Sequence, residues 1–304
     1  MRGFVLAGIF LGLTLSSAAN RACAKDAEIP PKVEKARFHH VHLNSMNPQE
    51  SMIYYRKFFS AVPVKYRGVS PALLTDRSFI FYNQVDAAAP AELKSAIWHI
   101  GWGGVDGPSE HQWRKEAGAE FHTPLTELGN EHYMYLRGPD GELIEVWTGY
   151  KHNRFGHIHL LAEDVNATSQ WYIDQLGLEA RRREVPAPTS NDPNMREGRW
   201  ANQVSADNVI INVFGKPKGP ARWFPEGAPE KFEMTEGRVI DHLAFSYARI
   251  EPVLERMKAS GVEIIAPIRE QSDYRIKSFF VRAPDGVLVE IVQEKPIPEG
   301  IWED

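Results

Sequence analysis

Two glutamates each interrupt an otherwise apolar stretch of the sequence, at the same distance from a Pro-Asp-Gly turn. Glu145 lies in RGPDGELIEVW and Glu290 in RAPDGVLVEIV. Because side chains alternate across a strand, both carboxylates would point into a largely apolar environment. An unpaired carboxylate in such a place costs several kcal/mol. We therefore expect each glutamate to be neutralised by a base or by a metal cation.

Histidines recur in a similar setting. Four segments align without gaps: FHHVHL, IWHIGW, FGHIHL and IDHLAF. Each has an apolar first residue, a histidine in third place and an apolar fourth residue, and the third-place histidines are His40, His99, His157 and His242. In a chain with 11 histidines, this repetition predicts four structural repeats.

Two histidines and one carboxylate can bind one face of a divalent metal and leave other positions open. The sequence predicts two such sets, one in each half of the chain. They are His40, His99 and Glu145, and His157, His242 and Glu290. Iron(II) is the expected metal, with manganese, zinc or nickel as alternatives. His42 and His159 follow two residues after a predicted ligand and would face the same cavity, as acid–base groups or as hydrogen-bond partners of a substrate.

The elements that must position these residues repeat in the same order. Each histidine strand is followed by a helix-like segment, and three of these helices are predicted to end at Gly118, Gly177 and Gly261. Strand-like runs close each repeat, and the two Pro-Asp-Gly stretches predict hairpin turns. The predicted fold is α+β, with four βαβββ modules that form two paired-module domains, residues 35–150 and 151–296. Each domain would be a curved, mostly antiparallel sheet around a central cavity.

Composition excludes several classes of function. The chain has 304 residues, of which 43% are hydrophobic and 25% charged, and its formal net charge is −5. This balance is typical of a globular protein, and the absence of a long basic run argues against nucleic acid as the main partner. A small-molecule substrate is the expected partner, bound by a monomer or a homodimer.

The N-terminus has the pattern of a secretory signal peptide, residues 1–24. Arg2 precedes an apolar stretch from Phe4 to Leu15, and Ala22-Cys23-Ala24 fits a cleavage site. An uncleaved membrane anchor is the alternative, although the stretch is short for a span. Cys23 is the only cysteine, so cleavage would leave a secreted or periplasmic protein without disulfides and without a membrane segment.

The repeats resemble the modules of the vicinal oxygen chelate superfamily, which includes glyoxalase I, bleomycin-resistance proteins and extradiol dioxygenases. The resemblance rests on the histidine after an apolar start, the Trp171-Tyr172 and Leu176-Gly177-Leu178 segment, and the Pro-Asp-Gly strand with its glutamate. It covers roughly Phe38 to Gln293. It implies paired modules that form a curved sheet around a metal, and the four-module layout resembles the extradiol dioxygenases more than the single-pair glyoxalases.

The dioxygenases of that superfamily have a tyrosine ten residues before the ligand glutamate. Tyr135 stands there in the first half of this chain, and Phe280 stands there in the second. Their catalytic histidine is replaced by Thr126 and Gln271. In the first half, His122 or His132 could substitute for it. Tyr135, His42, His159 and His132 are therefore the catalytic candidates.

Two functions remain open at this level. The first is a metal-dependent enzyme, either dioxygenase-like or a glyoxalase-like lyase or isomerase, which polarises neighbouring oxygens of a small organic substrate. The second is an extracytoplasmic binding protein that sequesters a small molecule without turnover. The sequence does not indicate the substrate or the active half.

Overall fold

A computed structural model of the chain describes residues 33–181, 201–217, 219 and 227–294. These residues form sixteen β-strands and four α-helices. No helix among them is long and apolar enough to cross a bilayer. The predicted signal peptide, residues 1–24, lies outside the described residues.

The first two modules each consist of one strand, one helix and three further strands, as the repeats predict. Module 1 comprises β1 (Arg37–Ser45), α1 (Pro48–Phe59), β2 (Val62–Tyr66), β3 (Ser70–Thr75) and β4 (Ser78–Gln84). Module 2 comprises β5 (Ile97–Gly103), α2 (Gly107–Glu116), β6 (Phe121–Leu128), β7 (Glu131–Arg137) and β8 (Leu143–Trp147). The glutamate strand β8 thus closes module 2.

The last two modules have the same order of elements. Module 3 comprises β9 (Phe155–Ala162), α3 (Val165–Leu176), β10 (Glu179–Arg181), β11 (Ala201–Ala206) and β12 (Val209–Gly215). Module 4 comprises β13 (Ile240–Tyr247), α4 (Glu251–Ala259), β14 (Ile264–Gln271), β15 (Ile276–Arg282) and β16 (Leu288–Gln293). The α+β fold with four βαβββ modules is confirmed.

Local chemistry sets the helix boundaries. The side chains of Asn47, Asp106 and Asp164 accept hydrogen bonds from the free backbone N–H groups at the starts of α1, α2 and α3. At its other end, α3 stops at Gly177, which has a left-handed φ of 67°.

The strands form two eight-stranded sheets. The first sheet has the order β14-β15-β16-β13-β1-β4-β3-β2, and the second has the order β10-β11-β12-β9-β5-β8-β7-β6. In each sheet the first strands of two modules pair antiparallel at the centre, and each is flanked on its other side by a parallel last strand. The remaining neighbours are antiparallel, so both sheets are mostly antiparallel, as predicted.

The sheets do not follow the predicted domains, residues 35–150 and 151–296. Module 1 shares a sheet with module 4, and module 2 shares a sheet with module 3. Each sheet therefore takes one module from each predicted domain. The reason is that all four first strands carry the same pattern of apolar residues and histidine, so this pattern does not specify which first strands pair.

The Pro-Asp-Gly turns link modules that lie in different sheets. Asp140 in module 2 accepts hydrogen bonds from Ser51 Oγ at 2.6 Å and from the Met46 N–H at 3.2 Å, both in module 1. Asp285 in module 4 accepts equivalent bonds from Thr168 Oγ1 at 2.8 Å and the Glu163 N–H at 3.2 Å, in module 3. The four modules are thereby linked into one compact unit that begins at Val33.

Candidate metal centres

Four polar side chains meet on one face of the first sheet and form what we call the Glu290 centre: His40, His42, His242 and Glu290. Glu290 Oε2 lies 3.2 Å from His40 Nε2 and 3.4 Å from His242 Nε2. All four side chains are buried. The strands bring them together because β1 and β13 pair with His42 opposite His242, and Ala244, two residues further on, lies beside Glu290 on β16.

The second sheet repeats the arrangement in the Glu145 centre: His99, His157, His159 and Glu145. Glu145 Oε2 lies 2.8 Å from His157 Nε2, 3.3 Å from His99 Nε2 and 3.9 Å from His159 Nε2. His159 is opposite His99 in the central strand pair. These side chains are likewise buried.

The predicted triads have exchanged one histidine each. His40 was expected with His99 and Glu145, but it lies with His242 and Glu290. His157 was expected with His242 and Glu290, but it lies with His99 and Glu145. The exchange follows from the module pairing, because the ligand strands of one centre must belong to one sheet. Each predicted combination of histidine with glutamate within modules 2 and 4 is observed.

Burial and the histidines act in opposite directions on the two carboxylates. Burial raises the pKa of Glu290 and of Glu145, but the histidines around each one outweigh this effect and hold the pKa well below its ordinary value. Both glutamates are therefore ionised at neutral pH. Each centre presents a buried negative charge to its imidazoles, which is the arrangement that a cation stabilises.

The histidines themselves respond differently. Burial lowers the pKa of His40 and of His99. Burial and the neighbouring His242 lower the pKa of His42 to about 3, so its imidazole is neutral. Burial also acts to lower the pKa of His242, but hydrogen bonds to Asp241 and Glu290 raise it to about 9.

His42 and His159 each lie close to the predicted metal ligands of their own centre. One nitrogen from each of His40, His42 and His242 lies within 4.8 Å of the others. In the other sheet, ligand atoms of His99, Glu145, His157 and His159 lie within the same distance of one another. The prediction that His42 and His159 lie on the same side as the predicted ligands agrees with these distances.

Tyr135 lies beside the Glu145 centre. It is directly opposite Glu145 in the β7–β8 pair, and its ring centroid is 5.1 Å from that of His99. Phe280 has the equivalent position in the other sheet, opposite Glu290 and 5.2 Å from His242. At this position, opposite the glutamate, the Glu145 centre has a phenol hydroxyl and the Glu290 centre has none.

His132 does not join the site. It is adjacent to Tyr133 on β7, so its side chain is on the face opposite to Tyr135. Its ring packs at the start of α2, where a Cβ on Gly107 would come within 2.6 Å of it. His122 is exposed and contacts Thr123. Neither histidine supplies the acid–base group that the sequence suggested.

Three residues that support the Glu290 centre were missed by the sequence analysis. Asp241 Oδ1 lies 2.6 Å from His242 Nδ1, His39 Nδ1 lies 2.7 Å from His40 Nδ1, and Gln271 Nε2 donates to Glu290 Oε1 at 2.5 Å. The second position of the four aligned segments carried a signal. This position is His39, Trp98, Gly156 or Asp241. Its residue type changes from segment to segment, whereas the first position is always apolar and the third is always histidine.

The wall around each centre is aromatic. In the first sheet, Phe81 stacks on His40 with ring centroids 4.2 Å apart, and on Tyr274 at 4.1 Å. In the second sheet, the ring centroids of Trp98 and Phe214 lie 5.8 Å and 4.9 Å from that of His159. Such walls keep water from the ligands and offer a surface to an apolar substrate.

Comparison with known proteins gives a family match for part of the chain and a fold for most of it. Residues 154–291 match the model of the Glyoxalase/Bleomycin resistance protein/Dioxygenase superfamily. The structure is similar to glyoxalase I from Zea mays, with a TM-score of 0.65 and 14% identity over 85% of this chain and 92% of that one. It is also similar to a candidate dioxygenase from Bacillus subtilis, with a TM-score of 0.58 and 16% identity over 86% and 87%. No curated protein sequence matches the chain.

Proposed function

We propose that the chain is a metal-dependent enzyme that acts on a small organic substrate, because residues 154–291 match the model of the Glyoxalase/Bleomycin resistance protein/Dioxygenase superfamily. We further propose that its chemistry is of the oxygenase type. The observation that carries the proposal is a buried glutamate whose Oε2 faces two histidine Nε2 atoms within 3.4 Å, found once in each sheet.

The residues fit a divalent metal. In the Glu290 centre, the Nε2 atoms of His40 and His242 are buried and both face Glu290 Oε2, at 3.2 Å and 3.4 Å. His42 Nε2 is buried beside them without a hydrogen-bond partner among the described residues, and buried polar atoms are nearly always hydrogen-bonded. A divalent ion would bind His40, His242 and Glu290, and a further group bound beside it would meet His42. When bound, the ion supplies Lewis-acid polarisation of two neighbouring substrate oxygens, and iron(II) adds redox chemistry with dioxygen.

A comparison of the two halves of each sheet favours an oxygenase over a lyase. In module 4, Glu290 lies beside Ala244, the residue two positions after His242. In module 1, the residue two positions after His40 is His42, and Phe81 lies beside it where Glu290 would be. In the second sheet, the counterpart of Glu145 is Asn212, which lies beside His159. A glyoxalase-like reaction needs a carboxylate base beside the metal, and neither Phe81 nor Asn212 provides one.

The chain's own residues supply the remaining roles. The neutral His42 imidazole is positioned to accept a hydrogen bond from a substrate in the Glu290 centre. His159 has the same role in the Glu145 centre, where the Tyr135 hydroxyl provides a further donor. Phe81 and Tyr274 exclude water on one side of the Glu290 centre.

Sequestration without turnover is the second candidate. Phe280 gives the Glu290 centre no hydroxyl where Tyr135 provides one in the other sheet. A centre that binds a chelating molecule but handles protons poorly is suited to retention. Dioxygen uptake separates the two candidates.

The test uses protein reconstituted with iron(II) without oxygen, and nitric oxide as a probe of open coordination positions. We expect the electron paramagnetic resonance signal of a high-spin iron–nitrosyl complex, and its loss in the double variant Glu145→Gln/Glu290→Gln. Undiminished iron binding by that variant, or none by the wild type, would refute the proposal. Dioxygen uptake with a panel of vicinal diols, catechol included, supports an oxygenase. Diol binding without uptake supports sequestration.

We also propose that the protein is exported. Arg2, the apolar stretch Phe4–Leu15 and Ala22-Cys23-Ala24 support this. Mass spectrometry of the protein expressed from its full sequence should give an N-terminus near Lys25. An intact N-terminus would contradict export by cleavage.

A further inference from the structure

The residue before each ligand histidine is the extra residue of a β-bulge. In the first sheet, Phe38 pairs with Phe245 and His40 with Ala244, which leaves His39 unpaired in the ladder. His42 then pairs with His242 and Leu43 with Ile240, which leaves Asp241 unpaired. A bulge re-aims the side chain of its extra residue. Both His39 and Asp241 therefore lie against the histidine that follows them.

The second sheet has the same two bulges with different residues. Ile97 pairs with Leu160 and His99 with His159, so the extra residue is Trp98. Gly101 pairs with His157 and Trp102 with Phe155, so the extra residue on the partner strand is Gly156. The backbone device is thus shared by both centres, and only the side chains differ.

The side chain at the bulge determines whether the Nδ1 atom of the following histidine has a hydrogen-bond partner. In the first sheet, His242 Nδ1 donates to Asp241 Oδ1 at 2.6 Å, and His40 Nδ1 pairs with His39 Nδ1 at 2.7 Å. In the second sheet, the Nδ1 atoms of His99 and His157 are buried without a hydrogen-bond partner in the part of the chain that the structure describes. The indole of Trp98 can donate a hydrogen bond but cannot accept one from an imidazole N–H, and Gly156 has no side chain.

Asp241 is itself fixed. Its Oδ2 accepts from the Gly237 N–H at 2.7 Å and from the Asn44 amide at 3.1 Å. His39 is fixed as well, because its Nε2 lies 3.2 Å from Tyr66 Oη, which in turn donates to Glu294 at 2.5 Å. Each support is therefore the first link of a chain of hydrogen bonds that ends outside the centre.

We propose that Asp241 and His39 are positioning residues, and that they make the Glu290 centre the tighter metal site of the two. This inference rests on the proposed function, because it assumes that both centres bind metal. A partner on the second nitrogen fixes the ring orientation and tautomer of a ligand histidine, and its loss typically costs about 10- to 100-fold in metal affinity. The Glu145 centre lacks this support on both of its histidines.

The test measures Zn²⁺ affinity by competition with a chromophoric chelator in two single-centre proteins. Glu145→Ala leaves the Glu290 centre, and Glu290→Ala leaves the Glu145 centre. We expect the Glu290 centre to bind Zn²⁺ about 10- to 100-fold more tightly. Equal affinities, or a tighter Glu145 centre, would overturn the inference and leave the proposed function intact. Absence of Zn²⁺ binding in both proteins and in the wild type would overturn both.

Substitutions at the bulge then test the cause. In the Glu145→Ala protein, Asp241→Ala should lower the affinity about 10- to 100-fold, whereas Asp241→Asn, which keeps an acceptor, should lose less. The Nδ1–H resonance of His242 in the NMR spectrum should disappear in Asp241→Ala only. A loss of affinity that is equal in both variants, with that resonance retained, would show a merely structural role.

A gain of function provides the converse experiment. In the Glu290→Ala protein, Trp98→Asp places a carboxylate at the bulge before His99, and we expect tighter Zn²⁺ binding. Damage to the fold cannot produce such a gain. A Trp98→Asp protein that is folded by circular dichroism but binds no more tightly would count against the inference.

Discussion

The Glu290 and Glu145 centres are built on the same backbone and differ in what surrounds their ligands. Both have two histidines and one glutamate on paired strands, and a third histidine two residues further on. The Glu290 centre has polar groups behind its imidazoles and a phenylalanine opposite its glutamate. The Glu145 centre has orphaned imidazole nitrogens and a tyrosine opposite its glutamate. The two centres therefore share one set of histidines and glutamate, and the residues around that set differ.

If both centres bind metal as proposed, the hydrogen bonds behind the imidazoles would favour tight metal binding in the Glu290 centre. The Tyr135 hydroxyl would favour proton transfer to a substrate in the Glu145 centre.

The largest effect concerns which modules share a centre. His40→Ala/His242→Ala removes two ligands from one centre, so we expect the chain to lose one of two bound Zn²⁺ ions and keep the other. His40→Ala/His99→Ala removes one ligand from each centre and should weaken both. Metal content after gel filtration, measured by mass spectrometry, distinguishes the patterns. If the second double variant lost one ion and kept the other at full affinity, the module pairing would be wrong.

The Pro-Asp-Gly turns of modules 2 and 4 differ away from the metal. Glu142 follows the first turn, where Val287 follows the second. Glu142 is buried and accepts a hydrogen bond from Tyr55 Oη at 2.5 Å. Burial raises the pKa of Glu142 to about 7 from 4.5. The folded chain therefore binds this proton more tightly than the unfolded chain does.

It follows that the contribution of Glu142 to stability is fully present below pH 4.5 and declines as the pH rises to about 7. The loss amounts to about 3 kcal/mol, at 1.36 kcal/mol for each pKa unit. Urea unfolding of the metal-free protein between pH 4.5 and 8 should show this decline, and Glu142→Gln should lack it. Identical pH profiles for the two proteins would disprove the raised pKa.

A third difference lies beneath the ligands. Gly101 is opposite His157, and a Cβ added to it would come within 1.9 Å of His157 Nε2. The equivalent residue opposite His40 is Ala244. Gly101→Ala must displace His157, so we expect about a 10-fold or greater loss of Zn²⁺ affinity in the Glu145 centre, the size of effect seen when ligand geometry is disturbed.

Ala244→Gly is the matched control for this prediction. It removes a methyl group from the corresponding place in the other centre and moves no ligand, so the Zn²⁺ affinity of the Glu290 centre should change far less. If Gly101→Ala and Ala244→Gly lowered Zn²⁺ affinity by similar factors, the position of the His157 ring would not depend on the missing side chain at Gly101.

The smallest effect concerns Tyr135 and Phe280. Tyr135→Phe removes the one hydroxyl that distinguishes the two positions, without touching a metal ligand. We expect Zn²⁺ affinity to change by less than about 3-fold, well below the effect of losing a supporting hydrogen bond. If the Glu145 centre is an active site, turnover of any diol found by dioxygen uptake should fall more than affinity does. An affinity loss as large as that of Gly101→Ala would instead make Tyr135 part of the metal support.

The sequence was sufficient to predict the modules and the histidines and glutamates that meet in the two centres. The repeated histidine segments and the buried glutamates indicated them, because burial of charge needs a partner. The pairing of modules could not be predicted. Val41 and Leu243, for example, are apolar neighbours of histidines in strands that read alike, and only tertiary packing distinguishes β13 from β5 as the partner of β1.

The supporting residues were also beyond reach of the sequence. Strict alternation along β13 would place Asp241 on the face opposite to His242, away from the ligands. The bulge breaks that alternation and brings the carboxylate against the imidazole. His132 shows a different error. It precedes Tyr135 by three residues on β7, so its side chain lies on the opposite face of the strand and does not reach the Glu145 centre.

Crystallographic anomalous scattering at the zinc edge, measured on Zn²⁺-loaded wild-type protein, would locate each bound ion among its ligands. We expect two peaks, one among His40, His242 and Glu290 and one among His99, His157 and Glu145, each about 2.0–2.2 Å from its nitrogen and oxygen ligands. No peak at either place, or one ion bound jointly by His40 and His99, would refute the two metal centres.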